Sequence, residues 1–310
     1  MAAESLHPRA AADDRPAWLG DDVWPYRVHR LRTAAHDIAY TDTGTGPPLL
    51  LVHIGMWSFL WRDLIGELRP HFRCVTLDAP GTGLSPEPLR KGAELDGAAD
   101  AVTALVEALD LTDLTLVVHD LGGPAAVAAS ASWPQRVRGL VAINTFAWQP
   151  DGRLLPLALR LMGSVPVRVF DSATRALPAL TSTSFGVGRH LDGAARRAFR
   201  AGVRPAAFHS YVRATRRRPF FAHVEAALAQ LADRPLLTVF GERNDPGKFQ
   251  PRWQALFPAA EQVIVAKGNH FPMCDNPAFV AEAIRRFHAE RLPAAGGTEE
   301  RAPGQIGGQG

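Results

Sequence analysis

The chain has 310 residues, of which 46% are hydrophobic and 21% charged, and its formal net charge at pH 7 is +3. These values are typical of a folded globular protein with one large core, and they exclude a fibrous or mainly disordered chain. The sequence contains neither an apolar run long enough to span a membrane nor a signal peptide, so we expect no membrane partner and a cytoplasmic location. The two cysteines, Cys74 and Cys274, are too few for a disulfide framework and lack the spacing of a metal site.

Arginines are concentrated at Arg213 and at positions 216–218. A nucleic-acid interface would need a basic face with interleaved aromatic residues. A solvated helix surface explains this short run more simply. We therefore predict no nucleic-acid partner.

Both ends of the chain lack regular apolar patterning. Residues 1–24 are rich in Ala, Asp, Arg and Pro, and residues 294–310 contain no apolar anchors. Such segments bury too little apolar surface to offset the entropy lost on folding. We predict disordered tails at both ends.

Between the tails, strand-like and helix-like segments alternate. Helical spacing of apolar residues covers 96–109, 250–257 and 277–291. Eight short apolar segments are predicted strands: 26–32, 37–41, 49–53, 73–78, 114–118, 137–144, 235–241 and 262–266. This alternation predicts an α/β protein with a mostly parallel eight-stranded sheet and helices on both faces.

Residues 148–232 interrupt the alternation. They contain short helical patterns with Pro and Arg and no strand-like run. We predict an inserted helical cap here, and a core domain formed by residues 25–147 and 233–293.

The predicted strand 114–118 runs directly into His119-Asp120-Leu121 and the turn Gly122-Gly123-Pro124. Asp120 therefore lies between a buried strand and a helix N-terminus, which is where α/β sheets bind ligands. Asp120 could instead be a simple helix cap, because Asp is a preferred capping residue.

Two further polar residues follow later strands. Asp245 comes after the strand 235–241, and His270 comes after 262–266. Since the carboxyl ends of parallel strands share one edge of a sheet, Asp120, Asp245 and His270 can meet there. Their chain order, nucleophile then acid then histidine, is that of an α/β-hydrolase triad. Asp245 also lies in Asn-Asp-Pro, which is good turn chemistry by itself.

A carboxylate nucleophile restricts the reaction. Attack of Asp120 on a carboxylic ester would give a high-energy mixed anhydride, whereas attack on an sp3 carbon with a leaving group gives a stable alkyl ester. Alkyl halides and epoxides are therefore the candidate substrates, rather than esters or amides.

Six segments together resemble the haloalkane dehalogenase and epoxide hydrolase branch of the α/β-hydrolases, in which Asp replaces the nucleophilic Ser. Each segment alone is weak, but their order and spacing are specific, and they extend over nearly the whole chain between the tails. They are Gly44-Thr-Gly-Pro-Pro48, His53 with Trp57-Ser-Phe-Leu-Trp-Arg-Asp63, Asp78-Ala-Pro-Gly-Thr-Gly-Leu-Ser85, His119-Asp-Leu-Gly-Gly-Pro124, Asn144-Thr-Phe-Ala-Trp148 and Gly268-Asn-His-Phe271.

The resemblance implies a covalent mechanism in two steps. Asp120 forms an alkyl ester, and water deprotonated by His270 then hydrolyses it while Asp245 orients the imidazole. Backbone N–H groups of Ile54 and Leu121 would form the oxyanion hole. The implied partners are a small-molecule substrate and water, with no cofactor.

The sequence departs from the dehalogenase pattern where a halide would bind. Relatives place a Trp directly after the nucleophile and often an Asn in a His-Gly-Asn-Pro loop, but this chain has Leu121 and the shorter loop His53-Ile-Gly-Met56. A desolvated halide needs hydrogen-bond donors. Trp57 or Trp148 could supply an indole N–H from a new direction.

Epoxide hydrolysis is the first alternative, because the alkoxide formed on ring opening could receive a proton from Tyr211, the one tyrosine of the predicted cap. His119 is a further candidate for the substrate pocket. A non-hydrolytic pocket protein or biosynthetic helper is the second alternative. His53, His119 and His270 could converge on a metal, but the family pattern explains them without one, so no metal is predicted.

Overall fold

The computed structural model describes residues 13–85, 89, 92 and 94–292. Eight strands form one sheet. They are β1 His29–Arg32, β2 Asp37–Thr43, β3 Pro48–Ile54, β4 Arg73–Leu77, β5 Leu114–Asp120, β6 Val137–Thr145, β7 Leu236–Gly241 and β8 Glu261–Val265. Their order is β1-β2-β4-β3-β5-β6-β7-β8. Strand β2 runs antiparallel to β1 and β4, and all other pairs are parallel.

Helices follow most strands and cover the sheet. They are α1 Arg62–Leu68, α2 Glu94–Ala108, α3 Gly122–Ser130, α4 Leu154–Met162, α5 Val165–Thr174, α6 Ala176–Thr181, α7 Gly193–Gly202, α8 Pro205–Ala214, α9 Arg218–Ala229, α10 Phe249–Leu256, α11 Pro272–Asp275 and α12 Pro277–Arg291. Short 3-10 helices span Ser58–Trp61 and Pro134–Arg136. The predicted fold class is confirmed, including the final helix with its exact bounds.

Strand β5 lies between β3 and β6 in the middle of the sheet. Leu116 and Val118 belong to one hydrophobic core and Val117 to the other. Alternate side chains of a strand point to opposite faces, so a strand covered on both sides is apolar throughout. This burial fixes the position of the residues that follow β5.

The prediction of a disordered N-terminal tail is wrong for residues 13–24. Leu19, Val23 and Trp24 are buried, and the Trp24 ring stacks on Trp57 with 6.4 Å between ring centroids. These apolar side chains supply the anchors that the composition of the segment obscured. The remaining predicted tail residues, 1–12 and 294–310, lie outside the described part of the chain.

The predicted cap boundary also needs correction. Helices α4 to α9 lie between β6 and β7 in the chain, as expected for an insertion. Helix α9, however, packs against α3, and its Phe221 and Val224 belong to the same hydrophobic core as Leu116 of β5. We therefore use the term cap for helices α4 to α8 only.

The turn after β5 needs residues without a side chain. A Cβ on Gly122 would lie 2.1 Å from the backbone oxygen of Val52, and one on Gly123 would lie 2.1 Å from Thr145 Oγ1. Both neighbours belong to strands beside β5. Helix α3 can therefore begin close to the sheet edge only with glycine at these positions.

We expect Gly122→Ala to lower the free energy of unfolding by about 1–3 kcal/mol, because the added methyl group meets the fixed backbone of β3. The matched control is Gly66→Ala in α1, where the nearest atom to a new Cβ is Tyr26 Oη at 3.4 Å. Alanine should stabilise that helix by about 0.5–1 kcal/mol. Urea unfolding of both variants checks the pair, and wild-type stability of Gly122→Ala would contradict this view of the turn.

Candidate active site

Asp120 is the last residue of β5 and has a left-handed backbone, with φ of +50°. A non-glycine residue in such a conformation costs on the order of 1–3 kcal/mol and persists only where its surroundings hold it. Here Thr145 Oγ1 donates a hydrogen bond of 2.5 Å to the Asp120 carbonyl. The sharp strand-to-helix turn is the geometry of a nucleophile elbow, and it places the Asp120 side chain in a cavity at the sheet edge.

His270 faces Asp120. Its Nε2 lies 3.7 Å from Asp120 Oδ2, and the two side chains are 33% and 25% exposed. Its Nδ1 lies 3.2 Å from Asn244 Oδ1. Because an amide oxygen only accepts, this contact assigns the proton to Nδ1 and leaves the lone pair of Nε2 facing Asp120. That is the arrangement required of a general base.

A bulge at the end of β6 supports the partner of His270. The pairing with β5 passes from His119–Ile143 to Asp120–Thr145, and the skipped residue, Asn144, has φ of +37°. Asn144 Oδ1 accepts a hydrogen bond of 2.8 Å from Gly241 N, and Nδ2 donates to the Asn244 carbonyl. Bulges redirect side chains near active sites, and this one joins the β6 end to the loop after β7.

The expected hydrogen bond between Asp245 and His270 is not formed. Asp245 lines the same cavity, but its two carboxylate oxygens accept hydrogen bonds from Phe249 N at 2.7 Å and Gln250 N at 3.1 Å. These are the first two N–H groups of α10, which lack partners within the helix. His270 contacts the preceding residue, Asn244, instead.

We expect Asp245→Asn to lower the free energy of unfolding by about 0.5–2 kcal/mol through the weakened capping of α10, and to leave turnover within a few-fold of wild type. Asn244→Ala removes the acceptor of the His270 Nδ1 proton and should reduce turnover more strongly. Urea unfolding and steady-state kinetics on both variants separate the two roles. A fall of 100-fold or more in turnover for Asp245→Asn alone would restore Asp245 as the acid partner.

Two buried histidines join the loop after β3 to the His270 loop. Met56 N lies 3.2 Å from His53 Nε2, His53 Nδ1 lies 2.9 Å from His119 Nδ1, and His119 Nε2 lies 2.8 Å from the His270 carbonyl. A backbone N–H only donates and a carbonyl only accepts, so both rings must be neutral and His53 donates to His119. Sequence reasoning missed this chain because each histidine alone fits ordinary packing.

The electrostatics agree with these neutral rings. Burial, followed by the proximity of His270, lowers the pKa of His53 to about 3. Burial, followed by the proximity of His270 and His53, holds the pKa of His119 well below its usual 6.5. Both groups stay uncharged at neutral pH and maintain the relay of hydrogen bonds.

We expect stability to fall as the pH is lowered. Both pKa values are lower in the folded than in the unfolded chain, so below pH 6.5 the unfolded chain binds more protons. Unfolding therefore becomes easier by roughly 2 kcal/mol for each histidine between pH 6.5 and pH 5. Urea unfolding at several pH values measures this slope. His53→Asn should reduce it and the exposed-site control His71→Asn should not, whereas constant stability from pH 7 to pH 5 would contradict the assignment.

The cavity beside Asp120 has a volume of about 260 Å³. Its polar lining consists of Asp120, Asn144, Thr181, Asn244, Asp245 and His270. Its apolar lining consists of Met56, Leu121, Phe146, Leu155, Leu159, Met162, Leu177, Phe208, Val212, Pro246, Phe249 and Phe271. An apolar cavity with a few convergent polar groups at one end suits a small apolar substrate.

The two tryptophans expected to bind a halide do not line this cavity. Trp57 Nε1 donates a hydrogen bond of 3.0 Å to the Phe199 carbonyl. Trp148 is buried against Trp253, with 5.0 Å between ring centroids. No Trp, Tyr, Lys or Arg is found in the cavity wall among the described residues.

Tyr211 and His119 also lie outside the cavity lining, which corrects their predicted place in the pocket. The Tyr211 hydroxyl donates to the Pro80 carbonyl at 2.8 Å, and the side chain is fully buried. His119 acts below the cavity floor, through the relay described above.

Only one of the two predicted oxyanion donors borders the cavity. Leu121 lines it directly after Asp120. Ile54 lies opposite Asp120 in the β3–β5 ladder, is fully buried and is not part of the lining. No cluster of three or more metal-ligating side chains occurs within the part of the chain that the structure describes.

A protein-family model for the alpha/beta hydrolase fold matches residues 47–277. The chain belongs to this family and is an enzyme, an α/β-fold hydrolase. Haloalkane dehalogenase 2 of Mycobacterium tuberculosis is 32% identical over 279 residues, which cover 84% of this chain and 95% of the relative. The chain therefore lies in the haloalkane dehalogenase-like branch of the family.

Two further comparisons agree on the fold. A cis-3-alkyl-4-alkyloxetan-2-one decarboxylase of Shewanella oneidensis is 27% identical over 288 residues, covering 87% of this chain and 91% of the relative. The crystal structure of a haloalkane dehalogenase from Agrobacterium tumefaciens has a TM-score of 0.72 at 19% identity, covering 85% of this chain and 96% of that chain. The likeness thus extends over both core and cap.

Proposed function

We propose that this hydrolase attacks an sp3 carbon of a small apolar substrate with Asp120 and forms a covalent alkyl ester, as in C–halogen hydrolysis. The single observation that supports this most is the position of Asp120 on a strained elbow, open to an apolar cavity and 3.7 Å from His270 Nε2. An Asp that served only as a helix cap would direct its carboxylate to helix N–H groups. Asp120 directs its carboxylate to His270 and the cavity instead.

The reaction divides between the residues as follows. Asp120 Oδ displaces the leaving group, which departs with the bonding electron pair, and the carbon–oxygen bond of an ester forms. His270 Nε2 removes a proton from water, which attacks the ester carboxyl carbon, while the Leu121 N–H stabilises the tetrahedral oxyanion. Collapse of this intermediate releases the alcohol and regenerates the Asp120 carboxylate. Asn244 holds the Nδ1 proton of His270, and Asp245 remains a proposed source of nearby negative charge.

The leaving group is the weakest point of a dehalogenase reaction in this cavity. A halide ion released there would meet Leu121 and other apolar side chains, without an indole N–H from Trp57 or Trp148. An unpaired charge in an apolar site is costly. Epoxide opening is not favoured either, because Tyr211 is engaged with the Pro80 carbonyl away from the cavity.

The same observations favour a second candidate, the opening of an oxetan-2-one ring, which the decarboxylase relative is named for. Asp120 would attack the ring sp3 carbon, and the carbon–oxygen bond would break to leave a carboxylate tethered to the substrate. Loss of CO2 would then form a carbon–carbon double bond and expel Asp120. This sequence needs no free-halide site, no water and no carboxylate on His270, consistent with Leu121 and Asn244 at their positions.

Product analysis with the wild-type chain tests these candidates. Small panels of 1-haloalkanes, terminal epoxides and cis-3,4-dialkyloxetan-2-ones should be assayed for halide ion, diol, and alkene with CO2, with Asp120→Asn as the control. Halide release that depends on Asp120 supports the dehalogenase-like reaction, and Asp120-dependent alkene formation supports the second candidate. Turnover that survives Asp120→Asn would contradict both.

A further inference from the structure

Exposed apolar side chains are concentrated on the outside of the cap. Twelve large hydrophobic residues are markedly exposed in the described part of the chain, and eight of them belong to one stretch of 32 residues. The eight are Leu154, Leu157, Leu161, Val165, Val169, Phe170, Leu180 and Phe185. Scattered exposed residues are ordinary, but a concentration of this kind marks an interaction surface.

Helix α4 is apolar on two opposite sides. One side faces the cavity through Leu155, Leu159 and Met162. The other side carries Leu154, Leu157 and Leu161, at spacings of three and four residues, and these are 83%, 64% and 65% exposed. A helix that is hydrophobic all round is normally buried on all sides, so the outer row of α4 lacks the cover that its composition requires.

The cap is also the basic part of the chain. Residues 148–217 contain twelve arginines, no lysine and three acidic residues, a formal charge of +9 in a chain whose total is +3. The rest of the chain therefore carries −6. A surface that is both apolar and positively charged complements one that is apolar and negatively charged.

Arginines border the exposed apolar rows. Arg153 and Arg160 are exposed and lie four residues before and three residues after Leu157 on α4. Arg168 of α5 and Arg213 of α8 line a groove beside these helices. The ion pairs between described residues include none of these four arginines. They are placed to contact an external anion.

We propose that the outer face of helices α4 to α6 docks on an anionic phospholipid surface. Leucine and phenylalanine side chains would enter the boundary of the acyl chains, while the arginines contact the phosphates. A second copy of the chain is a poorer occupant, because a symmetric contact would bring two caps of charge +9 together. The docking is peripheral: no helix in the described ranges is long and apolar enough to cross a bilayer.

Docking in this orientation would place the cavity next to the lipid. Helices α4 and α6 line the cavity through Leu155, Leu159 and Leu177, so about one helix diameter, roughly 10 Å, separates the cavity from the docked surface. An apolar substrate dissolved in the bilayer could then pass between cap helices without crossing water. This surface accounts for the arginine-rich segment that sequence reasoning assigned to solvent.

The test is co-sedimentation of the full chain with lipid vesicles. Vesicles of phosphatidylcholine alone are compared with vesicles containing 30% phosphatidylglycerol, at low and high salt. Two double variants, Leu157→Glu with Leu161→Glu and Arg153→Glu with Arg160→Glu, are compared with a control pair at exposed apolar sites of the core, Leu256→Glu with Phe279→Glu. Turnover of a water-soluble substrate verifies that each variant is folded.

We expect binding to phosphatidylglycerol vesicles that weakens with salt, a tenfold or greater loss in either cap variant, and wild-type binding by the core variant. Three results would overturn the proposal: no binding to anionic vesicles, equal loss in cap and core variants, or binding that ignores lipid charge. Sedimentation velocity without lipid covers the remaining occupant. Dimerisation that is abolished by Leu157→Glu with Leu161→Glu would assign the face to a second copy of the chain and reject the lipid surface.

Discussion

Asp120→Asn should lower turnover of the preferred substrate by a factor on the order of 10⁴–10⁶, because loss of a covalent nucleophile removes the whole reaction path. Asparagine is the appropriate replacement, since Asp120 has φ of +50° and asparagine tolerates the left-handed region better than most residues. It keeps the size of the side chain and removes only the carboxylate charge.

The control for this variant is stability. Asp120→Asn should unfold within about 1 kcal/mol of wild type, because the carbonyl of residue 120, and not its side chain, accepts the hydrogen bond from Thr145. Residual turnover that grows during incubation would indicate deamidation back to Asp120, which intact mass detects. Stable activity near the wild-type level in the unmodified variant would leave Asp120 with a structural role only.

His270→Phe should arrest hydrolysis after the first step. Without a base at Nε2, water attacks the ester slowly, so a burst of about one equivalent of leaving group should precede a rate reduced by roughly 10²–10⁴. The loop itself should persist, because His119 bonds the backbone carbonyl of residue 270 and not its side chain. Rapid-mixing measurement of the leaving group checks the burst, and full multiple turnover by His270→Phe would indicate that release from Asp120 needs no base.

The nucleophile position could be predicted from sequence because its determinants are local. A buried strand, an acid residue and two glycines follow one another within residues 114–123, and the structure adds the contacts that require those glycines. The eight strands were predictable for the same reason, since each is a short apolar run between turn residues.

The partner of His270 could not be predicted in this way. Asn244 and Asp245 are adjacent, and which of them faces His270 depends on the start of α10, where backbone N–H groups of Phe249 and Gln250 take the Asp245 carboxylate. Carboxylates are strong acceptors at helix N-termini. A one-residue choice of this kind is decided by three-dimensional contacts that the sequence pattern does not reveal.

The direction of side chains contributed by distant segments was equally hidden. Trp57 was expected near the leaving group, but its indole N–H bonds the carbonyl of Phe199 in α7, which is 142 residues later in the chain. The buried ring of Trp24 stacks on it from an N-terminal segment that looked disordered. Both contacts join parts of the chain whose relative positions only the folded structure defines.

The central claim, alkylation of Asp120, is tested most directly by mass spectrometry of His270→Phe after incubation with the haloalkane and epoxide panels. We predict a mass increase equal to one alkyl or hydroxyalkyl group, located on the peptide that contains Asp120 and absent when Asp120→Asn is added. If the wild-type chain turns over one of these substrates while the folded His270→Phe variant carries no adduct, or carries it on another residue, Asp120 is not the nucleophile.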